Sequence, residues 1–360
     1  MRKVTHVITT ISRGGAENQL LVLVREQLAV NNAVRVIYLK DEPELIKEFI
    51  DLGVTVNSPK SKFVFLQLLW LRKNLFKNQE IVHAHLPRAE LMVALISGNH
   101  RFIVSRHNAE KFFPKAPSYI SKKLSRYVTK KSFEVIAISN SVRDYLIQEK
   151  EICPRVDIVV VHYGYDSSLH SNIDKVFVDN LREKYKNAFI IGTVARLVPQ
   201  KDYPTLFRAF VLFAENEPNS YLFVIGDGFL LVELKTLAFR LGILEKIIWF
   251  GKVNNPIDFI SSFDLFVLAS VYEGFGLVIL ESFIAKTPVI ASANSAVLEV
   301  LGEESTSLFP IGDFKALAAK MMEFKDKEMR IKLVKMGEDR LKNFNASVMI
   351  QSMEKEYSKF

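Results

Sequence analysis

Leu265-Phe266-Val267-Leu268-Ala269-Ser270-Val271-Tyr272-Glu273-Gly274-Phe275-Gly276-Leu277-Val278-Ile279-Leu280-Glu281 opens on an unbroken apolar run, crosses a short loop with two glycines and enters a second apolar stretch. Five apolar residues bounded by a turn read as a buried strand, Leu265 to Ala269, and the segment from Gly276 to Ala285 reads as a helix. A strand buried on both faces that feeds straight into a helix is the unit of a parallel α/β sheet.

Outward from this unit the pattern repeats. Upstream, strands are expected at Phe189 to Ala195, Tyr221 to Gly226 and Ile247 to Gly251, with a helix at Pro204 to Ala214 and another ending at Leu241. Downstream, Pro288 to Ala291 is expected to be the last core strand, and the chain beyond Asp313 reads as mostly helical. A first series covers Val4 to Thr10, Ala33 to Leu39, Ile81 to His83, Phe102 to Ser105, Val135 to Ile138 and Ile158 to Val161, with a helix from Ala16 to Val30. The two series meet in the polar stretch Tyr165 to Lys186. We therefore expect two doubly wound domains, 1–168 and 169–345, and a terminal helix, 346–360, that returns to the first.

The chain has 360 residues, enough for two cores. Its single cysteine, Cys153, excludes a disulfide framework and fits a reducing compartment. The longest membrane candidate, Val64 to Leu71, is interrupted by Gln67, and the N-terminus lacks an apolar signal core. A cytoplasmic protein is the expectation. The net charge of +8 is unevenly placed: residues 1–168 hold 25 basic and 16 acidic residues, and 169–360 hold 23 and 24. A basic first half suits anionic lipid, nucleic acid or phosphorylated substrates, or serves simply as a solvated face.

In doubly wound sheets ligands bind in the loops after the strands. Four such loops carry chemistry. Gly14-Gly15-Ala16-Glu17 opens the first helix, where bare N–H groups attract a phosphate, although a tight turn alone explains it equally. Arg196 and Lys201 share one loop and suit a diphosphate, the first as a fork and the second as a point charge. Glu273, Phe275, Gly276 and Leu277 precede or open a helix, and Glu281 on that helix can accept from a ribose diol. His107 follows a strand, as do His83 and His85. Without an acidic partner these read as hydrogen-bonding or core histidines rather than metal ligands. No Asp-x-Asp occurs, so the carboxylate pair that commonly holds a divalent metal under a nucleotide diphosphate is missing from the sequence.

Taken in order, these loops resemble the retaining glycosyltransferases of family 4, which have the GT-B fold: two Rossmann-like domains facing across a cleft. The resemblance runs from Gly14 to about Ala291. Its most specific element is Glu-x7-Glu, here Glu273 to Glu281; Gly14-Gly15-Ala16-Glu17, Ala195-Arg196-Leu197 with Lys201, Ile225-Gly226-Asp227-Gly228 and Ser139-Asn140-Ser141-Val142 add to it. Two positions depart from the family pattern: Tyr163-Gly164-Tyr165-Asp166 where Asn-Gly-Val/Ile-Asp is common, and Ala195 where a glycine often precedes the arginine.

The resemblance implies roles. Arg196 and Lys201 would hold the donor diphosphate, Glu281 the ribose, and Glu273 and Phe275 the donor sugar region. Gly15, Gly226, Gly276 and Leu277 would offer backbone to phosphate or sugar, Lys252 and Val253 would flank the base, and His107 would lie beside the anomeric carbon. It implies a nucleotide-sugar donor, by default a UDP-sugar, carrying a hexose or N-acetylhexosamine, and no divalent metal or other cofactor. Lys60, Lys62, Arg72, Lys73 and Lys77 flank the apolar stretch Phe63 to Leu71. Lys111, Lys115, Lys122, Lys123, Arg126, Lys130 and Lys131 cluster with Phe112, Phe113, Tyr119 and Tyr127. These mixtures suit an anionic membrane surface and a lipid-linked saccharide acceptor of surface polysaccharide assembly at the inner face of the cytoplasmic membrane. The alternatives are a GT-B nucleotide-sugar epimerase, a basic nucleic-acid-binding module, and an NAD-dependent oxidoreductase. The last is disfavoured because Gly-x-Gly-x-x-Gly is absent after the first strand, although Asp41 and Glu42 follow the second.

Overall fold

The computed structural model describes residues 1–40, 43–77, 80–154, 156–165 and 173–360. Asp41, Glu42, Asp166 and part of the linker lie outside the described residues. The chain divides into two compact units, Met1–Tyr165 with Phe344–Phe360, and Asp166–Asn343.

The first unit is built on a parallel sheet of β1 (Lys3–Ile8), β2 (Ala33–Tyr38), β3 (Thr55–Asn57), β4 (Ile81–His85), β5 (Ile103–Arg106), β6 (Glu134–Ala137) and β7 (Ile158–Val160), in the order β3-β2-β1-β4-β5-β6-β7. Val7, Val82, Ala84, Val104 and Val135 are fully buried, as strands covered by helices on both faces require. The terminal helix, Ala346–Tyr357, closes one face, packing Met349, Ile350, Met353 and Tyr357 against Val4, Val22, Leu23 and Ile103. It is held where the chain leaves the unit: Tyr165 N–H donates to Phe344 O at 2.6 Å and Ala346 N–H to Tyr165 O at 2.8 Å. Gly164 makes this approach possible, since a Cβ there would stand 2.6 Å from Ala346 Cα.

The second unit holds β8 (Phe189–Val194), β9 (Ser220–Ile225), β10 (Ile247–Gly251), β11 (Leu265–Leu268), β12 (Val289–Ser292) and β13 (Leu308–Phe309), parallel in the order β10-β9-β8-β11-β12-β13. Its core gathers Phe207, Phe210, Phe213, Leu222, Val267 and Met321.

The structure corrects three expectations. β12 is not the last strand, because β13 pairs beyond it. β3 adds an edge strand next to β2. β4 continues through His85, so both histidines lie within the strand rather than after it.

Candidate active site

Each sheet reverses direction once. In the second unit the chain runs from β8 outward to β9 and β10, then returns to β11 on the other side of β8, so the loops after β8 and β11 diverge. This is the switch point at which doubly wound sheets bind ligands. Arg196 and Lys201 follow β8, Gly226 follows β9, Lys252 and Val253 follow β10, and Glu273, Phe275, Gly276 and Leu277 follow β11. The structure brings all of them to one edge of one sheet.

Lys201 Nζ meets Glu273 Oε1 at 2.5 Å, joining the two diverging loops across the switch point. Both side chains are largely buried, so the pair is shielded from solvent screening. Sequence reading placed these residues in one site without foreseeing that they pair. Arg196 stays exposed at the same edge. Gln200 closes the loops further, donating from Nε2 to Tyr272 O at 2.8 Å.

The neighbouring loops are laced by backbone. Ala195 N–H donates to Ile225 O at 3.0 Å, Leu197 N–H to Asp227 O at 2.9 Å and Gly226 N–H to Gly251 O at 2.8 Å. Gly226 has φ +132°, and a Cβ there would come within 2.0 Å of Ala195 O, so glycine is dictated by both conformation and space.

Gly276 caps the helix Leu277–Ile284 in a left-handed conformation, φ +90°, and as a glycine brings no side chain to the helix's first N–H groups. Those groups face the loop end with the positive end of the dipole behind them. Glu281, half-buried on the same helix, has its carboxyl pushed up by burial to about 7. A carboxyl tuned by burial, on a helix that opens from a strand-end loop, is a mark of a working site.

In the first unit the switch point lies between β1 and β4. Gly14 and Gly15 follow β1 and open the helix Gly15–Ala29, with no side-chain cap on its first turn. His107 follows β5. Its neighbour Arg106 pairs with buried Glu90 at 2.8 Å and lies over the Phe112 ring at 4.3 Å.

His107 ends a buried polar network. Its Nδ1 is bonded to the Tyr163 hydroxyl, and its Nε2 lies 3.2 Å from His85 Nδ1. His85 Nε2 is 2.9 Å from His6 Nδ1, and His6 Nε2 is 2.8 Å from Gln27 Oε1. Gln27 Nε2 donates to the Tyr357 hydroxyl at 3.1 Å; that hydroxyl is 2.8 Å from His83 Nδ1, whose Nε2 is 2.8 Å from Ser105 Oγ. Burial lowers His107 to about 3 and His6 to about 4, and His83 and His85 well below the usual range, so all four rings are neutral at neutral pH. His6, His83 and His85 are close enough to suggest a metal site. Every ring nitrogen in that trio already has a hydrogen-bond partner, which a cation would have to displace inside a core that offers no carboxylate among those partners. His6, Gln27 and Tyr357 were not singled out from sequence. The available signal was a histidine in the middle of the first strand, and β1–β4 pairing sets His6 beside His83.

Residues 13–169 match the family model described as Glycosyltransferase Family 4, and residues 177–340 match that of Glycosyl transferases group 1. The chain is a glycosyltransferase, a family 4 domain followed by a group 1 domain. The enzyme is 25% identical, over 86% of each chain, to the N-acetylgalactosamine-N,N'-diacetylbacillosaminyl-diphospho-undecaprenol 4-alpha-N-acetylgalactosaminyltransferase of Campylobacter jejuni. It is 27% identical, over 62% of its own length and 61% of the relative's, to the UDP-Gal:alpha-D-GlcNAc-diphosphoundecaprenol alpha-1,3-galactosyltransferase of Escherichia coli. Among solved structures, Anabaena HepE in complex with UDP and glucose superposes with a TM-score of 0.86 over the whole of both chains at 17% identity. That likeness establishes the GT-B fold for the enzyme.

Proposed function

We propose that the enzyme transfers a hexose or N-acetylhexosamine from a UDP-sugar to a lipid-diphosphate-linked saccharide, with retention at the anomeric carbon and with protein groups in place of a divalent metal. The observation that carries this reading is the gathering of Arg196, Lys201, Glu273, the Leu277 helix start and Glu281 at one switch point. Arg196 and Lys201 meet the diphosphate, the helix N–H groups and Gly15 hydrogen-bond to phosphate or sugar, Glu281 holds the ribose, and Lys252 and Val253 flank the base. Glu273, already holding Lys201, contacts the donor sugar. The relatives from C. jejuni and E. coli carry names that specify diphospho-undecaprenol-linked saccharides, and the E. coli name specifies UDP-galactose.

In this mechanism the bond from the anomeric carbon to the diphosphate oxygen breaks. The acceptor oxygen bonds to the same face of the sugar, and its proton passes to the leaving phosphate oxygen. Such a path demands stabilisation of the leaving group more than a side-chain base. His107 suits it: the ring is neutral and both nitrogens are engaged, so it shapes the site beside the anomeric carbon without taking a proton.

The proposed acceptor's lipid calls for a membrane surface, and an exposed apolar patch in the first unit supports one docking face. At the start of the helix Val64–Asn74, Phe63 is 76% exposed and Phe65 69%, with Val64, Leu66 and Leu69 also exposed, next to Lys60, Lys62 and Arg72. The second cluster fits less well, because Phe112 is buried in the core and Phe113 and Tyr127 pack against it, leaving Tyr119 as the exposed aromatic. No helix among the described residues is long and apolar enough to cross a membrane. A peripheral enzyme on the cytoplasmic face, docked through Phe63 to Leu69, satisfies both facts.

A thermal-shift screen against UDP, GDP, ADP, NAD and sugar conjugates, with and without EDTA, tests the donor reading, because a ligand of the folded state raises its midpoint. Stabilisation by UDP, unchanged by EDTA and lost in Glu281→Ala, is expected. Stabilisation by NAD alone, or by no nucleotide, would refute it. For the membrane, sedimentation with anionic liposomes at low salt should fall sharply in a Phe63→Ser/Phe65→Ser variant; equal sedimentation would refute that docking surface.

A further inference from the structure

The network behind His107 has a direction. Hydroxyls and neutral imidazoles donate or accept at either end, but an amide oxygen only accepts and an amide nitrogen only donates. Gln27 is therefore the member that sets the polarity. Its Oε1 faces His6, so His6 Nε2 carries the hydrogen. A neutral His6 then accepts at Nδ1, which requires the hydrogen of His85 on Nε2. The same step repeats at His107, which must donate from Nε2 to His85 and accept at Nδ1 from the Tyr163 hydroxyl. Burial and the nearby Glu17 carboxylate hold that phenol protonated. On the other side Gln27 donates to Tyr357, Tyr357 donates to His83 Nδ1, and His83 Nε2–H donates to Ser105. Every link runs the same way, from Tyr163 to Ser105, and each partner finds the role it needs.

We propose that Gln27 is a positioning residue for the transfer site: through His6 and His85 its amide imposes the Nε2–H tautomer on His107 and so fixes which ring nitrogen meets Tyr163. The device spans three strands, β1, β4 and β5, and the helix Gly15–Ala29 that carries Gln27. It also gives the returning C-terminal helix a part in the site, since Tyr357 holds the amide nitrogen that keeps the oxygen turned toward His6. The members Gln27, His6, His83 and Tyr357 are buried to within 1% of complete, so water does not substitute for a missing link. Reversing the amide would reverse every proton position along the chain and leave His107 with its hydrogen on Nδ1.

The consequence for turnover rests on the proposed place of His107 beside the anomeric carbon; the tautomer itself does not. The test is nitrogen-15 NMR of the full-length enzyme labelled at histidine, in which protonated and unprotonated ring nitrogens are resolved and His107 is assigned by comparison with His107→Gln. In the wild type His6, His85 and His107 are all expected as Nε2–H. An Nδ1–H form at any of the three overturns the proposal, and this measurement needs no variant that perturbs the core. In Gln27→Met, which keeps the length of the side chain and removes both its polar atoms, His107 is expected to show both tautomers, with kcat lowered by up to about 100-fold at little change in donor KM. A single Nε2–H form of His107 in that variant would overturn the role of Gln27. A mixed tautomer with wild-type kcat would support the role of Gln27 and count against placing His107 at the reacting centre, so the two readings fail separately.

Discussion

The Glu281 carboxyl offers a stability test of a site residue without any substrate. Burial moves it from 4.5 to about 7. At about 1.4 kcal/mol per pH unit, keeping it ionised in the free enzyme costs up to about 3.4 kcal/mol, an upper limit because the side chain is only half-buried. The sign follows from linkage. A carboxyl whose folded value lies above its unfolded value contributes its full stability below the unfolded value, near 4.5, and loses it as pH rises through about 7. Glu281→Gln removes the titration. Its stability relative to wild type should therefore grow with pH, by up to about 2.5 kcal/mol between pH 5 and pH 8. Urea titrations at the two pH values, followed by fluorescence, measure this; Trp249 packs on the same core as the site's loops. The same variant should bind UDP more weakly at pH 8, where the wild-type carboxylate is the better acceptor for a ribose diol. A stability difference that does not change with pH would refute the burial argument, and unchanged UDP affinity would refute the ribose role.

Three further outcomes are expected. Arg196→Ala should lower kcat on the order of 10²–10³-fold with an unchanged melting temperature, because the side chain is exposed; a kcat near wild type would sink its assignment to the leaving group. Lys201→Met should destabilise by about 3–5 kcal/mol in urea, because Glu273 is left 8% exposed without its cation, and adding Glu273→Leu should recover most of the loss; a single variant as stable as wild type would contradict the pairing. Gly226→Ala should destabilise by at least about 1 kcal/mol and loosen the loop holding Arg196, since the new Cβ would stand 2.0 Å from Ala195 O; an unshifted thermal midpoint would show that the loop yields freely.

What the sequence discloses follows from the range over which each feature is determined. The strands of both units announce themselves because a parallel sheet buries its strands on both faces, and five or six apolar residues such as Phe189 to Val194 suffice to show it. β3 and β13 escape because three residues and two residues carry no period. That Arg196, Lys201, Gly226, Lys252 and Glu273 gather was legible because they all follow strands, and topology takes strand ends to one edge. Their partners were not: Lys201 and Glu273 are 72 residues apart, and that they touch depends on β8 and β11 being neighbours. His6 was passed over for the same reason. Its place beside His83 is a matter of register between β1 and β4, and its partner Gln27 faces it only once a helix has packed across the strand. Phe112 illustrates the reverse error, an aromatic read with its basic neighbours as surface while the fold spends it under Arg106.

The two units solve one physical problem in different ways. Polar groups at a site must be held in place before the ligand arrives, yet a buried charge without a partner is costly. The second unit pairs its buried cation with its buried carboxylate, Lys201 with Glu273, and lets burial keep Glu281 partly protonated, while Arg196, exposed to water, carries its charge at little cost. In the proposed reaction a donor diphosphate entering there would meet a cation already fixed in position, which spares reorganisation in the transition state. The first unit avoids charge altogether. Its histidines are neutral, and their orientation comes from a hydrogen-bonded chain whose order is set by one amide. In the proposed reaction the acceptor's proton leaves with the phosphate, and a neutral ring whose nitrogens are both engaged neither takes nor supplies that proton. Each unit thus holds its polar groups in place in its own way, one by pairing Lys201 with Glu273 and the other by keeping its histidines neutral within a hydrogen-bonded chain.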